Sequence, residues 1–149
     1  MAAAHPGTLR LLVPVDGSSP AQSIADHLRG EHARNPRLEI QLLNVQIPAD
    51  YSGHARMLVS QDELNAYYGD EAAQALAPMR AALDAAGVPY SVRQEVGHVA
   101  PTILRCASEF GANRIVMGRR GLSALMDRVL GSVASDVSAQ AHVPVMLVQ

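Results

Sequence analysis

The chain is 149 residues long, one domain's worth and enough to bury a substantial core. With 48% hydrophobic and 17% charged residues it has the composition of a globular fold, which excludes intrinsic disorder. A formal net charge of −2, with no tryptophan, four tyrosines and one phenylalanine, excludes a dedicated nucleic-acid binder, because there is no basic surplus and no stacking platform.

Residues 1–8 show no strand or helix pattern and read as a flexible leader, leaving 9–149 as the domain. Leu9 to Val15 is an apolar run closed by Asp16-Gly17-Ser18, a strand and then a turn. Ser19, with Gln22 three residues on and Pro20 at the first helical position, reads as a capping box opening a helix. Ala21, Ile24 and Leu28 form its inward stripe, and Asn35-Pro36 ends it. Leu38, Ile40 and Leu42 alternate with polar residues and lead into Leu43 and Val45 as a second strand. Residues 46–59 are a poorly patterned loop. Ser60 with Glu63 is another capping box, opening an alanine-rich helical stretch that stops at Gly87. Pro78 lies inside it, and an interior proline costs about 3 kcal/mol, which predicts a kink or a restart.

Val88, Tyr90, Val92 and Val96 then face one way, and Pro89, Ser91, Arg93 and Glu95 the other. That pattern predicts an edge strand covered on one face only. Pro101 starts a third helix with Val99, Ile103, Cys106 and Phe110 in line, closed by Gly111. Ile115 to Met117 is a short buried strand ending at Gly118, a last helical region runs to about Ala141, and Pro144 to Val148 is a final strand. Strands interleaved with helices in this order imply an α/β fold, an open parallel sheet with helices on both faces.

The chemistry-bearing segment is Met117 to Val133, with glycines at 118, 121 and 131 and Ser132 after the last. One unbroken amphipathic helix here would carry Gly131 in its interior at a cost of about 1 kcal/mol. A chain break at Gly131, with Ser132 capping a new helix, avoids that cost. Two glycine turns and a helix N-terminus then form an anion cradle from backbone N–H groups. No side-chain amine contributes. All twelve positive residues are arginine, so a phosphate-binding P-loop and a Schiff-base lysine are both excluded. Arg119 and Arg120 either approach the anion or stand solvated.

Other chemistries lack their residues. The six histidines include no pair four apart, and one cysteine builds no thiolate site, so no metal cage is expected. Asp62-Glu63 and Asp70-Glu71 read as solvated helix faces and not as acid–base pairs. Cys106 falls on an inward stripe and reads as a structural thiol. A lone cysteine forms no intrachain disulfide, and Leu11 to Val15 is too short for a signal-peptide core or a membrane span. The expected location is the cytoplasm, without membrane association.

The pattern Gly118-x2-Gly121-x9-Gly131-Ser132 resembles that of the universal stress proteins, in the branch that binds ATP. The opening Val13-Pro14-Val15-Asp16-Gly17-Ser18 is similar to that family's first strand, Leu42 to Val45 to the end of its second, and Ala141 to Val148 to its closing strand. Asn44 stands where a histidine is common, and Asn113-Arg114 where an aspartate and an apolar residue are usual. The resemblance implies a single-domain five-stranded sheet in the order 3-2-1-4-5, with ATP across the carboxyl ends of strands one and four. Carried over by position, Pro14, Val15 and Asp16 flank the adenosine, and the backbone of Val45 reads the adenine edge. Met117 and Gly118 lie by the ribose and α-phosphate, Gly121, Gly131, Ser132 and Val133 hold the phosphates, and Arg119 is counted among the nucleotide-binding residues. A magnesium ion carried with the ATP would sit near Ser132, with no protein cage of its own.

Three classes of function compete. The first is an ATP-binding regulatory module of the stress response, with slow or no hydrolysis, in which occupancy is the signal. The second is an ATPase or adenylyl-transfer enzyme, for which the Asp16-Gly17-Ser18-Ser19 loop lacks an adjacent nucleophile or base. The third is a nucleotide-free module acting through protein contacts, which the complete glycine pattern disfavours. The uncharged run Val145 to Val148, at an edge in the implied strand order, calls for antiparallel pairing with a second copy.

Overall fold

A computed structural model describes residues 8–18, 20–49, 58–119 and 130–149. In chain order the elements are β1 (Arg10–Pro14), α1 (Ala21–Arg34), β2 (Glu39–Gln46), α2 (Gln61–Ala85), β3 (Ser91–Val96), α3 (Val99–Phe110), β4 (Arg114–Gly118), α4 (Ser132–Gln140) and β5 (Val145–Val148). The strands form one sheet in the order β3-β2-β1-β4-β5, and every neighbouring pair is parallel. This is the predicted α/β architecture.

Side-chain alternation along β1 explains the two layers of core. Leu11 and Val13 point to the face covered by α1 and α2, where Ile24, Leu28, Leu76, Met79 and Leu83 are fully buried. Leu12, between them, points to the opposite face and meets Ile103, Cys106, Ala134 and Val137 of α3 and α4. A strand buried on both faces reads as a continuous apolar run, which is how 9–15 reads.

Helix ends follow the sequence at some places and correct it at others. Ser60 accepts a hydrogen bond from the Glu63 N–H at 3.0 Å, as the capping box requires. At α1 the N-cap is Pro20, one position earlier than its expected place as the first helical residue, and Ser19 of the expected capping box lies outside the described residues. Helix α2 does not restart at Pro78 but continues through it as one element. Pro78 is on the exposed side, where water can serve the carbonyl it leaves unpaired, while Ala72, Leu76, Met79 and Leu83 anchor both halves to the core. Gly87 and Gly111 end α2 and α3 at φ of 68° and 72°, letting the Val88 and Ala112 N–H groups turn back onto Leu83 and Ala107.

Strand β3 is an edge, as predicted, but neither face is bare. Arg93 and Glu95 are half-buried beneath α3, where Arg105 donates to Glu95 at 2.6 Å and to Glu109 at 2.9 Å, and Arg93 donates to Glu109 at 3.2 Å. A charged layer thus covers the face expected to be open. Val96, expected to face inward, is 47% exposed.

Candidate functional site

The chain winds from β1 outward to β3, then crosses to the far side of β1 to continue as β4 and β5. Helix α1, which follows β1, and helix α4, which follows β4, pack on opposite faces of the sheet, and among the described residues no segment fills the gap between the carboxyl ends of these two strands. Ligands of open α/β sheets bind at such a reversal. Here the gap is a cleft of about 320 Å³, at the lower end of small-molecule sites.

Three backbone hydrogen bonds shape it. The Val15 N–H donates to the Leu43 carbonyl at 2.8 Å, extending β1 along β2 for one residue. The Arg119 N–H donates to the Val148 carbonyl at 3.0 Å, and the Arg119 carbonyl accepts the Gly131 N–H at 2.8 Å. Arg119 therefore clamps the end of β4 both to β5 and to the start of α4.

Gly131 is the N-cap of α4, with φ −61°, ψ 151° and no side-chain cap. Ser132 is the first helical residue and not the cap, because the extended Gly131 already holds that position with its N–H bound to Arg119. The break at Gly131 is as predicted. The first bond inside the helix is Ser135 N–H to the Gly131 carbonyl, 2.9 Å. The N–H groups of Ser132, Val133 and Ala134 therefore have no acceptor within the helix. All three residues line the cleft. Their amides, at the positive end of the helix dipole, give this end of the cleft the donors that an anion would need.

The other end is apolar. Pro14, Val15, Leu43, Val45, Val99, Ile103 and Met117 form its walls, with Ile47 at the rim. Asp16 stands exposed at the mouth, its Oδ1 accepting from the Ser18 N–H at 2.9 Å and the Ser18 hydroxyl at 2.6 Å. That turn holds the carboxylate beside the end of β1. A slot of this kind suits a flat heteroaromatic group at one end and a negatively charged group at the other.

Of the residues expected at a site, Pro14, Val15, Asp16, Val45, Met117, Gly118, Arg119, Gly131, Ser132 and Val133 all line this one cleft. Gly121 lies outside the described residues, as does Arg120. Leu43, Ile47, Val99, Ile103 and Ala134 also line it and were not singled out in the sequence. For Ile47 a signal existed, an apolar residue just past a strand's carboxyl end; the others look like ordinary core residues. Among the described residues no group of three or more histidine, cysteine, aspartate or glutamate side chains could hold a metal ion. Cys106 is fully buried, and burial pushes its thiol above the usual range, the opposite of an activated nucleophile.

Fold and cleft together define a class: a doubly wound α/β protein with a ligand site at its winding reversal. The sequence pattern of the Universal stress protein family matches residues 8–149, and the chain belongs to that family. Among solved structures it is similar to universal stress protein UspA from Lactobacillus plantarum, with 26% identity, a TM-score of 0.74, and coverage of 95% of this chain and 97% of that one. The universal stress protein from Archaeoglobus fulgidus in complex with dAMP shares the fold at 20% identity, TM-score 0.63, covering 95% and 98% of the two chains. An Arabidopsis thaliana universal stress protein family protein with AMP bound shares it at 19% identity, TM-score 0.57, covering 93% and 90%. No curated protein sequence matches significantly. Among the described residues no helix is long and apolar enough to cross a membrane.

Proposed function

We propose that the cleft binds an adenine nucleotide, ATP with magnesium, and that the protein is a stress-response module whose nucleotide occupancy is its signal. The observation that carries this reading is the set of three amides at the start of α4, at one end of an apolar slot. The dAMP and AMP complexes of two relatives support the adenine assignment. Adenosine lies against Pro14, Val15, Asp16 and Val45, the ribose and α-phosphate by Met117, Gly118 and Arg119, and the phosphates against Gly121, Gly131, Ser132 and Val133. The Ser132 hydroxyl is a hard oxygen donor of the kind magnesium accepts beside phosphate.

Hydrolysis is slow or absent in this reading. Phosphoryl transfer needs in-line positioning, charge neutralisation and a group that orients the attacking water. The chain has no lysine, and Asp16 is tied to Ser18 on the nucleoside side. The protein works in the cytoplasm as a homodimer paired through Val145 to Val148, an uncharged, half-buried edge strand.

The test is titration with ATP and magnesium, comparing the parent with the double variant Gly121→Val, Gly131→Val. Binding should be lost in the variant while circular dichroism stays unchanged. Equal affinity would show that the phosphates sit elsewhere. In a steady-state assay, turnover near one per second that disappears in Gly131→Val would make the protein an enzyme instead.

A further inference from the structure

Asn44 is one of the few polar side chains in the core, only 2% exposed, between apolar Leu43 and half-buried Val45 on β2. Burying an amide is costly unless its donors and acceptors are satisfied, and Asn44 meets that demand in one direction. Its Nδ2 donates to the Val15 carbonyl at 2.8 Å. Its Oδ1 accepts from Gln46 Nε2 at 2.8 Å, which fixes which way the amide points. A relay therefore runs from Gln46 through Asn44 to Val15.

Val15 is where β1 leaves the sheet. Its N–H is held by Leu43 and its carbonyl by Asn44, so both polar backbone groups of this one residue are fastened to β2. The carbonyl belongs to the same rigid plane as the following peptide N–H, because the Val15–Asp16 bond is trans like every other described peptide. Holding that carbonyl fixes the plane, and with it the point from which the Asp16 side chain departs. Both Val15 and Asp16 line the cleft, whereas Asn44 does not. Without the amide, a buried carbonyl would be left to rotate in search of a partner at the place where the cleft wall begins.

We infer that Asn44 is a positioning residue, holding the Val15–Asp16 wall in the orientation that receives the nucleoside. The inference rests on the nucleotide reading of the cleft and deepens it, since it divides the site into two halves held by different means. The nucleoside half depends on Asn44. The phosphate half depends on Arg119, Gly131 and the start of α4, none of which the relay touches.

That division supplies a readout that a merely structural role does not move. Asn44→Leu keeps the number and branching of the side-chain heavy atoms and removes the donor. Binding of ATP and of inorganic tripolyphosphate is measured for each variant by competition against a fluorescent ATP analogue. The expected result is at least about a fivefold loss of ATP affinity, the scale of one hydrogen bond, with tripolyphosphate affinity unchanged. Asn44→His, whose Nδ1 can carry a proton at the same distance from the backbone as the lost Nδ2, should restore ATP affinity. If Asn44→Leu does not fold, Asn44→Ser serves in its place, its hydroxyl being too short to reach the Val15 carbonyl. The inference is overturned if both ligands weaken together, if neither changes, or if histidine fails to restore the ATP affinity. Should the parent protein bind no adenine nucleotide, the reading of the cleft itself fails, a result distinct from a parent that binds and an Asn44→Leu variant that binds equally well.

Discussion

Replacing Ser132 with proline tests the proposed phosphate cradle separately from the fold. Ser132 is the first residue of α4, so its N–H has no acceptor inside the helix and proline removes nothing the helix uses. A residue before proline must be extended, and Gly131 already stands at φ −61°, ψ 151°. The side chain is exposed, leaving room for the ring. The apo protein should therefore melt within a few degrees of the parent, with stability changed by about 0.5 kcal/mol or less. Binding should suffer much more. One hydrogen bond from an amide to a phosphate oxygen is charge-assisted and contributes about 1.5–3 kcal/mol, so ATP affinity should fall roughly tenfold to a hundredfold. Calorimetric titration with ATP and magnesium measures this, and Ser132→Ala separates the amide from the hydroxyl. If Ser132→Pro binds ATP within twofold of the parent, the start of α4 is not the cradle.

The same structure sets four further outcomes. Gly17→Ala should destabilise by about 1–2 kcal/mol or more in denaturant titration, because Gly17 sits at φ 87° and a Cβ there would lie 3.2 Å from the Ala75 Cα; an unchanged midpoint would contradict the turn geometry. Cys106 should resist alkylation in the native protein and react fully in denaturant, since it is fully buried with its thiol raised by burial. Glu95, held below its ordinary value of 4.5 first by its hydrogen bond from Arg105, contributes stability above that value that is lost as pH falls through its lowered folded pKa. Glu95→Gln should flatten the acid side of the stability profile in that window, and an unchanged profile would show that the charged layer over β3 contributes nothing. Sedimentation should give a dimer at micromolar concentration that Leu147→Arg dissociates; a monomeric parent would remove the role assigned to β5.

Much of this protein was legible in one dimension because the relevant signals are local. The apolar run before Asp16, the Ser60–Glu63 box, the glycines closing α2 and α3 and the break at Gly131 each follow from backbone chemistry over a few residues. Strand–helix alternation then allows little besides a parallel sheet. Gly118 and Gly131 pointed to this cleft for the same reason, since the amides of Ser132, Val133 and Ala134 that line it come from consecutive backbone.

Tertiary structure decided what depends on residues far apart in the chain. Pro78 is tolerated in mid-helix because α2 is anchored to the core on both sides of it, a property of packing and not of propensity. Strand β3 is covered on its second face only because Arg105 and Glu109 of α3 come to lie over Arg93 and Glu95. The apolar half of the cleft was hidden as well. Leu43, Val99 and Ile103 carry the alternation of ordinary core residues, and only the divergence of β1 and β4 leaves them facing a gap. Asn44 is the clearest case. In the sequence it is an amide where a histidine is common; its meaning comes from a carbonyl 29 positions earlier, brought within 2.8 Å by the pairing of β1 with β2.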